Sequence, residues 1–325
     1  MQKEDLTFHL ARVRSIHNKA AAGQTFKDLA DQLKKLQSTL PRRRREPVSL
    51  PHLIEGGRNT LTQLQYLLRT DQLTEISDTQ LELILTQLAN EDPFIRFDKA
   101  TMLFNDALAN NILTKDQLHH SFNYLKRPEA LLDHIEEPVN KAAVRRVASV
   151  TGLASLLYAD RAGAFFITDD EVNALIDLVV VGLLWEHDNR GFVNRLGWVQ
   201  LFGEYTILFG ELCRRSKLVR GQKVLLMATY LVAYQQLNTP LIMGEADEGA
   251  DFLIGMMNQH PVYRRYFMVF LRDWQERLQN KHPRDEHSWH KVFNYRRLMQ
   301  SLLMSADLPE IVARQITNQP NENEQ

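Results

Sequence analysis

Three polar residues stand at helical spacing within the segment of residues 185–215, which is otherwise rich in aromatic and aliphatic side chains. Gln200, Glu204 and Glu211 fall on one strip of a predicted helix whose other faces are apolar. If this strip lines a cleft, its carboxylates can bind a ligand or take part in proton transfer. In the alternative interpretation the strip faces solvent, and Glu211 pairs with Arg215 one helical turn later.

An acidic cluster follows further along the chain. The sequence of residues 244–251, GEADEGAD, does not have the alternating ligands of a calcium-binding loop. We expect it to form an acidic turn or the charged rim of a groove. The residues predicted to line this groove lie between positions 188 and 251 and are Asp188, Arg190, Trp198, Gln200, Glu204, Glu245, Asp247 and Glu248.

The sequence has none of the common catalytic or phosphate-binding motifs: no P-loop, HExxH, GxSxG, paired CxxC or GxGxxG. We therefore assign no catalytic residue, no cofactor and no metal ion. His282, His287 and His290 stand near two carboxylates, but the loop-like composition around them favours an exposed segment over a metal site. Enzymatic activity is left open, with a non-enzyme favoured.

Charge and composition restrict the class of protein. The 325 residues include 39 lysines and arginines and 40 aspartates and glutamates, which excludes the strongly basic balance of a nucleic-acid coat. The run Arg42–Arg45 is the only hint of a phosphate-binding surface, so a nucleic-acid partner is not expected. Three features predict a cytoplasmic protein without a membrane segment. The chain has a single cysteine, Cys213; its apolar runs are too short to cross a bilayer; and its N-terminus has no apolar signal region.

Signals for helix starts recur in long stretches without glycine or proline. Thr114 with Gln117 and Thr168 with Glu171 form capping-box patterns, and Ser77 precedes a third apolar-periodic run. A further helix is predicted to begin near Gly197, after a turn at Asp188–Gly191. Because strand-like alternation is absent, the sequence predicts an all-α protein.

The predicted helices are arranged in pairs. An acidic corner at Glu91–Pro93 is followed by Ile95 and Arg96, a pattern similar to the hinge of a HEAT repeat, with a second helix opening near Phe94. Stacked antiparallel pairs of this kind form an α-solenoid. The spacing of the pairs is irregular, so a compact, non-repeating helical domain is the alternative.

One boundary is visible in the sequence. Residues 41–51 contain three prolines and four consecutive arginines, which no helix can run through. We predict an N-terminal helical segment at 1–40, a linker at 41–51, a HEAT-like domain at 52–318 and a disordered tail at 319–325.

Three short motifs carry a family resemblance. The pattern D-x-R-G-F-V beginning at Asp188, the Gly-Trp pair at 197–198 and the acidic cluster beginning at Gly244 resemble a bacterial family of unknown function, the domain-of-unknown-function family 2785. The resemblance covers about residues 75–260. It implies a helical, HEAT-like fold and assigns no activity.

The chain departs from this family pattern at Gly249, where the resemblance implies an arginine after the acidic cluster, and at three positions after the Gly-Trp pair. The resemblance implies two histidines four residues apart after the Gly-Trp pair, and an aspartate one turn later. This chain has Gln200, Glu204 and Ile207 there. Glutamine and glutamate do not replace a histidine pair in metal binding or proton transfer, so any histidine-dependent activity of the family is expected to be lost or changed.

Two functions are consistent with these features. The favoured one is a scaffold or binding module whose groove near residues 188–251 holds a protein partner. The alternative is an enzyme using the same groove, for example a helical-repeat nucleic-acid glycosylase or another hydrolase. In that case Asp188 or Glu204 supplies the carboxylate, Trp198 the stacking surface and the arginine run the phosphate contact.

Overall fold

The computed structural model describes residues 3–53, 55–280 and 282–317, and within them the chain is almost entirely helical. The all-α prediction is therefore confirmed. The α-helices are α1 Lys3–Ala21, α2 Leu29–Gln37, α3 Gly57–Arg69, α4 Asp78–Gln87, α5 Met102–Ala109, α6 Lys115–Lys126, α7 Pro128–Leu131, α8 Ala143–Ala159, α9 Asp169–Trp185, α10 Leu201–Arg214, α11 Arg220–Gln236, α12 Glu245–Gln259, α13 Pro261–Gln279, α14 Glu286–Met304 and α15 Glu310–Thr317. Two π-helices, π1 Phe94–Thr101 and π2 Asp160–Ala164, and two short strands, β1 Phe192–Val193 and β2 Gly197–Trp198, complete the described elements.

The predicted capping boxes are confirmed. At the start of α9, the Thr168 hydroxyl accepts the Glu171 N–H at 3.3 Å, while the Glu171 carboxylate accepts the Thr168 N–H at 2.9 Å. Thr114 begins α6 and Ser77 begins α4 in the same reciprocal way. Each box satisfies two backbone groups that have no partner inside the helix, which is why these helices begin where the sequence predicts.

The helix predicted to begin near Gly197 begins at Leu201 instead. Residues 192–198 form a hairpin in which Phe192 pairs with Trp198 and Val193 with Gly197. Gly197 has a φ of +73°, a left-handed conformation that no α-helix tolerates. Trp198 therefore stands on the hairpin and is 46% exposed, whereas Leu201, Tyr205, Leu208 and Leu212, which follow it at helical spacing, are buried in α10.

The second helix of the predicted pair opens at Phe94, as expected, but its first part is the π-helix π1. The extra residue in each turn frees backbone carbonyls that side chains then satisfy. Gln65 donates to the carbonyls of Asp98 and Lys99, and the Thr101 hydroxyl donates to the Arg96 carbonyl at 2.8 Å. A π-helical insertion of this kind is common next to functional sites.

Contacts between residues divide the chain into two compact units. Unit 1 comprises the described residues up to Leu10 together with Leu40–Lys217, and unit 2 comprises Ala11–Thr39 with the described residues from Leu218 onward. None of these boundaries falls within the predicted linker at 41–51, although residues 41–53 have no regular secondary structure. The predicted tail at 319–325 lies outside the described residues.

Unit 1 is built around α8. This helix packs against α5, α6, α7 and α10, and most of its side chains from Val144 to Leu157 are buried, except on the face that carries Ala148, Thr151 and Ser155. Most side chains of α9 from Val172 to Trp185 are buried. Gly182 allows α9 to approach α10, because a Cβ at this position would stand 2.7 Å from the Tyr205 hydroxyl.

Unit 2 is built around α11, whose side chains are buried from Val224 to Gln235. It packs against α2, α13 and α14, while α12 packs against α13 and α14. None of the described helices in either unit has an apolar stretch long enough to cross a bilayer.

Candidate functional site

A groove runs along unit 1 where α8 packs against both α5 and α10. It consists of two adjoining cavities that share Asn105, Thr151 and Glu204. We name them the Trp198 pocket, of about 330 Å³, and the Tyr158 cleft, of about 790 Å³. Both volumes are in the range of about 300–1,000 Å³ that is typical of ligand sites.

The two cavities differ in the chemistry of their linings. The Trp198 pocket has three aromatic side chains in its lining. Besides the shared residues, it is lined by Leu88, Arg96, Phe97, Thr101, Phe104, Val147, Ala148, Gly152, Trp198 and Gln200. The Tyr158 cleft is lined mainly by small residues of α8 and π2 and by three larger apolar side chains, Leu108, Tyr158 and Ile207. Its other residues are Ala109, Asn111, Ala154, Ser155, Ala159, Ala162, Gly163, Ala164 and Glu211.

Glu204 lies where the two cavities meet. Its carboxylate is partly buried and accepts a hydrogen bond from the Thr151 hydroxyl at 2.8 Å. Within the described part of the chain, no cation stands within ion-pair distance of it. Burial therefore raises the pKa of Glu204 above its usual value, and the Thr151 hydrogen bond offsets this only in part.

Arg96 forms part of the wall of the Trp198 pocket, on π1. It is 1% exposed and donates to the carbonyls of Asn90, at 2.6 Å, and Leu196, while its guanidinium lies 4.6 Å from the Phe97 ring centre. Burial lowers its pKa to about 10, so the guanidinium is charged at neutral pH. Arg96 thus ties π1 to the hairpin that carries Trp198.

Trp198 is held at the mouth of its pocket by two contacts. Its ring stands edge-to-face against Phe192, its cross-strand neighbour, with 5.7 Å between the ring centres. The preceding residue, Gly197, packs so closely on Pro93 that a Cβ would stand 3.1 Å from the proline ring. The Gly-Trp motif therefore combines a close backbone approach with an exposed aromatic ring.

Large apolar side chains are exposed along the groove. Tyr158 of α8 is 57% exposed, Ile207 of α10 is 51% exposed and Trp198 is 46% exposed. Asn105 and Asn111, both exposed, add amide groups to the same surface. An apolar surface with a few polar groups is typical of a recognition site.

Asp188 and Arg190 do not line the groove. Asp188 is fully buried. Arg190 donates a hydrogen bond to each of the Asp188 carboxylate oxygens, at 2.8 and 2.6 Å, and another to the Asn140 carbonyl. Immediately before them, the buried Glu186 forms a two-bond ion pair with Arg146 at 2.7 and 3.0 Å. These residues connect the end of α9 to the start of α8, so the D-x-R-G motif shapes unit 1 from within.

Glu245, Asp247 and Glu248 lie in unit 2, in the first turn of α12. The buried Glu245 accepts the Met243 N–H at 2.8 Å, and Asp247 accepts the Ser301 hydroxyl. Carboxylates at a helix N-terminus are favoured by the helix dipole. Of the eight predicted groove residues, Trp198, Gln200 and Glu204 are brought together at one cavity.

Glu211 is buried, which contradicts the alternative that the polar strip faces solvent. It is 6% exposed and pairs with Arg161 at 3.1 Å and with Arg214. The predicted pairing of Glu211 with Arg215 is wrong, because Arg215 binds Asp160 at 2.6 Å. The neighbouring π2 element, which sequence periodicity did not predict, supplies both Asp160 and Arg161 and so redirects the ion pairs.

Three of the arginines at 42–45, Arg42, Arg43 and Arg45, have partners within unit 1, although Arg42 and Arg45 are exposed, as is Arg44. Their partners are the Trp185 carbonyl for Arg42, the Glu136 carboxylate for Arg43 and the Val139 carbonyl for Arg45. His287 and His290 both contact the Asn238 carbonyl, at 3.0 and 2.9 Å. Across residues 3–53, 55–280 and 282–317, no group of three or more histidine, cysteine or carboxylate side chains is placed to hold a metal ion.

Sequence reasoning missed Asn105 and Thr151, the two residues that join Glu204 in both cavities. They lie on α5 and α8, about 100 and 50 residues before Glu204, and only the packing of these helices brings them together. Thr151 carries a weak signal, because it is a polar residue within the apolar run of α8.

The model of a protein family described as "Protein of unknown function (DUF2785)" matches residues 131–304, more than half of the chain. The chain belongs to this family. The resemblance predicted from the three motifs is thereby confirmed. The match includes α8, α10 and the hairpin, whereas π1 and α5, which complete the groove, precede it. No curated protein and no solved structure matches the chain.

Three of the four positions at which this chain departs from the residues implied by the family resemblance line the groove. Gln200 lies at the Trp198 pocket, Ile207 at the Tyr158 cleft and Glu204 at both. The fourth, Gly249, lies on α12 in unit 2.

Proposed function

We propose that this DUF2785 protein is a binding module and that the groove of unit 1 holds a segment of a partner protein. The observation that carries the proposal is the row of exposed apolar side chains, Trp198, Ile207 and Tyr158, along one continuous groove. Burying such a surface against a partner is favourable by about 25 cal/mol for each Å² of apolar area.

The polar groups of the groove fit a peptide better than a purely apolar ligand. Asn105 and Asn111 each carry an amide, which donates and accepts hydrogen bonds and so matches a peptide group. The small side chains of α8 and π2, such as Ala154 and Ala162, leave room for a main chain to approach. Partner side chains can then enter the cavities on either side of Glu204.

The finer features of the fold belong to the same proposal. We infer that unit 1 is a HEAT-like α-solenoid, since α4 packs against π1 and α6, and α6 packs against α8. A cytoplasmic location goes with it, because the single cysteine, Cys213, is a buried free thiol that suits a reducing compartment.

An enzyme that uses the same groove is the second candidate, and Glu204 is the observation that favours it. A carboxyl with a raised pKa beside a hydroxyl, in a cavity, is a typical general acid. The scaffold proposal stands first because the second carboxylate of the groove, Glu211, is already paired with two arginines.

Peptide selection tests the binding function. A library of random peptides displayed on phage is selected against the full chain, and the affinities of enriched peptides are measured by fluorescence anisotropy. Ile207→Asp places a charge on the groove and is expected to weaken binding at least tenfold. Ile311→Asp is the matched control, since Ile311 lies on a helix of unit 2 and is 58% exposed, against 51% for Ile207.

The proposal is supported only if Ile207→Asp weakens peptide binding and Ile311→Asp does not. Equal loss in both variants, or enrichment of the same peptides on Ile207→Asp as on the wild-type protein, would show that the groove is not the binding surface.

A further inference from the structure

The Trp198 pocket has a composition that distinguishes it from the rest of the groove. It combines one partly buried carboxylate, Glu204, with the aromatic rings of Trp198, Phe97 and Phe104. Aromatic faces attract cations through the ring quadrupole, most strongly at tryptophan, and a carboxylate adds a charge-assisted hydrogen bond.

The charge of Glu204 is left uncompensated by unit 1. Thr151 supplies one hydrogen bond at 2.8 Å, and within the described residues no lysine, arginine or histidine approaches the carboxylate closely enough for an ion pair. Buried carboxylates elsewhere in unit 1 are compensated: Asp160, Glu186, Asp188 and Glu211 each have an arginine partner. A buried carboxylate without a cation costs free energy that an incoming cation can recover.

Arg96 lines the same pocket and carries a positive charge, so its accessibility decides which sign of ligand the pocket takes. Arg96 is 1% exposed, and the two terminal nitrogens of its guanidinium donate to the carbonyls of Asn90 and Leu196, while its buried Nε has no hydrogen-bond partner among the described residues. Glu204 is accessible from both cavities. A ligand entering the pocket therefore meets the carboxylate and the aromatic rings before the guanidinium.

We propose that the Trp198 pocket receives the basic side chain, lysine or arginine, of the partner segment held in the groove, with its cationic end on Glu204 and its stem against Trp198. This inference rests on the proposed function and gives it a specificity rule: the partner segment carries a basic residue beside apolar ones. The apolar neighbours then cover Ile207 and Tyr158 in the Tyr158 cleft.

Fluorine NMR measures the pocket without any peptide. The chain has four tryptophans, so protein labelled with 5-fluorotryptophan has four signals, and Trp198→Phe and Trp289→Phe assign two of them. The probes are n-butylguanidinium, n-butylammonium, neutral 1-pentanol and anionic butyrate. We expect a saturable shift of the Trp198 signal with the two cations, at concentrations at least tenfold lower than with 1-pentanol, while the Trp289 signal stays unchanged.

The matched carboxylate variants are Glu204→Gln and Glu276→Gln, the latter an exposed residue of α13 in unit 2. Glu204→Gln is expected to raise the half-saturating concentration of the cations at least tenfold, and Glu276→Gln to leave it unchanged. Equal shifts with cations and 1-pentanol, or stronger shifts with butyrate, would overturn the proposal, the latter in favour of Arg96 as the recognition group.

A second arm distinguishes failure of this inference from failure of the proposed function. In a peptide selected on the groove, each basic residue is replaced by norleucine and tested against the wild-type protein and Glu204→Gln. The proposal expects one position whose replacement costs at least tenfold on the wild-type protein and less than twofold on the variant. A peptide that binds the groove without such a position overturns the cation pocket and keeps the binding function. Cation binding at Trp198 with no selectable peptide supports the pocket and overturns the binding function.

Discussion

The buried ion pair of Arg146 and Glu186 leads to a quantitative prediction about unit 1. Both side chains are almost fully buried, at 3% and 1% exposure, and two hydrogen bonds of 2.7 and 3.0 Å join them. Glu186 also accepts the N–H groups of His187 and Asp188, at 3.0 and 2.8 Å. Glu186→Gln keeps the shape of the side chain and an acceptor oxygen, but it removes the carboxylate that pairs with the buried charge of Arg146.

We expect Glu186→Gln to lower the unfolding free energy of unit 1 by about 3–5 kcal/mol, the usual cost of breaking a buried pair. Adding Arg146→Met removes the orphaned charge, so the double variant should recover at least half of that loss. The exposed pair of Glu310 and Arg314, at 78% and 69% exposure, is the control, and its variants should change stability by about 0–1 kcal/mol.

Native-state hydrogen exchange of α8 and α9 peptides, followed by mass spectrometry, is the assay, because it reports the opening of unit 1 separately from unit 2. Burial opposes ionisation of Glu186, but the charge and hydrogen bonds of Arg146 outweigh it and hold the pKa of Glu186 below its usual value. Its contribution to stability is therefore present above about pH 4.5 and is lost as the pH falls below that value. A loss under about 1 kcal/mol in Glu186→Gln, or single-variant losses that add in the double variant, would refute the reasoning.

Three further predictions concern the groove and its supports. Because burial raises the pKa of Glu204, its ionised form destabilises the folded state. Glu204→Gln should therefore raise the Tm at pH 7 and leave it unchanged at a pH below the usual pKa of the carboxyl. An unchanged Tm at pH 7 would contradict this. Gly197→Ala should lower the free energy of unfolding by about 1–2 kcal/mol, because φ is +73° and a Cβ would stand 3.1 Å from Pro93. The same variant should shift the fluorescence emission of Trp198. Chemical denaturation measures the first effect, and emission spectra of the folded protein measure the second. At Glu171, burial raises the pKa, but hydrogen bonds from Thr168 and His119 outweigh it and lower the pKa to about 2. Glu171→Gln should therefore reduce the Tm at pH 7, and thermal melts should show the difference shrinking as the pH falls from about 4.5 towards 2.

Local patterns predicted much of the secondary structure. Threonine and serine caps with a glutamine or glutamate three residues later mark the starts of α4, α6 and α9, because both partners of each hydrogen bond lie within one helical turn. The same locality explains why the start of α10 was misplaced. Gly197 was assigned to a helix on the basis of apolar periodicity, whereas the hairpin depends on Arg96 and Pro93, about 100 residues earlier.

The candidate site was only partly accessible to sequence reasoning. Gln200 and Glu204 were found because they are polar residues in an otherwise apolar pattern, and Trp198 because it belongs to the Gly-Trp motif. Asn105 and Thr151 were missed because no motif marks them, and the one weak signal, a polar Thr151 in an apolar helix, does not show that it contacts Glu204. The role of Asp188 also depends on distant residues, since its burial follows from the packing of α8 against the end of α9.

By itself, the sequence determined the helical class of this protein, the starts of several helices and its family, because these depend on short-range hydrogen bonds, apolar periodicity and local motifs. Only the tertiary structure decided which polar residues are buried supports and which face a cavity. Glu211 met Arg161, 50 residues earlier, when α10 packed in unit 1, whereas Glu204 met no cation among the described residues. The pairing of a charge depends on the side chains that packing places around it, and those are contributed by segments far away in the chain.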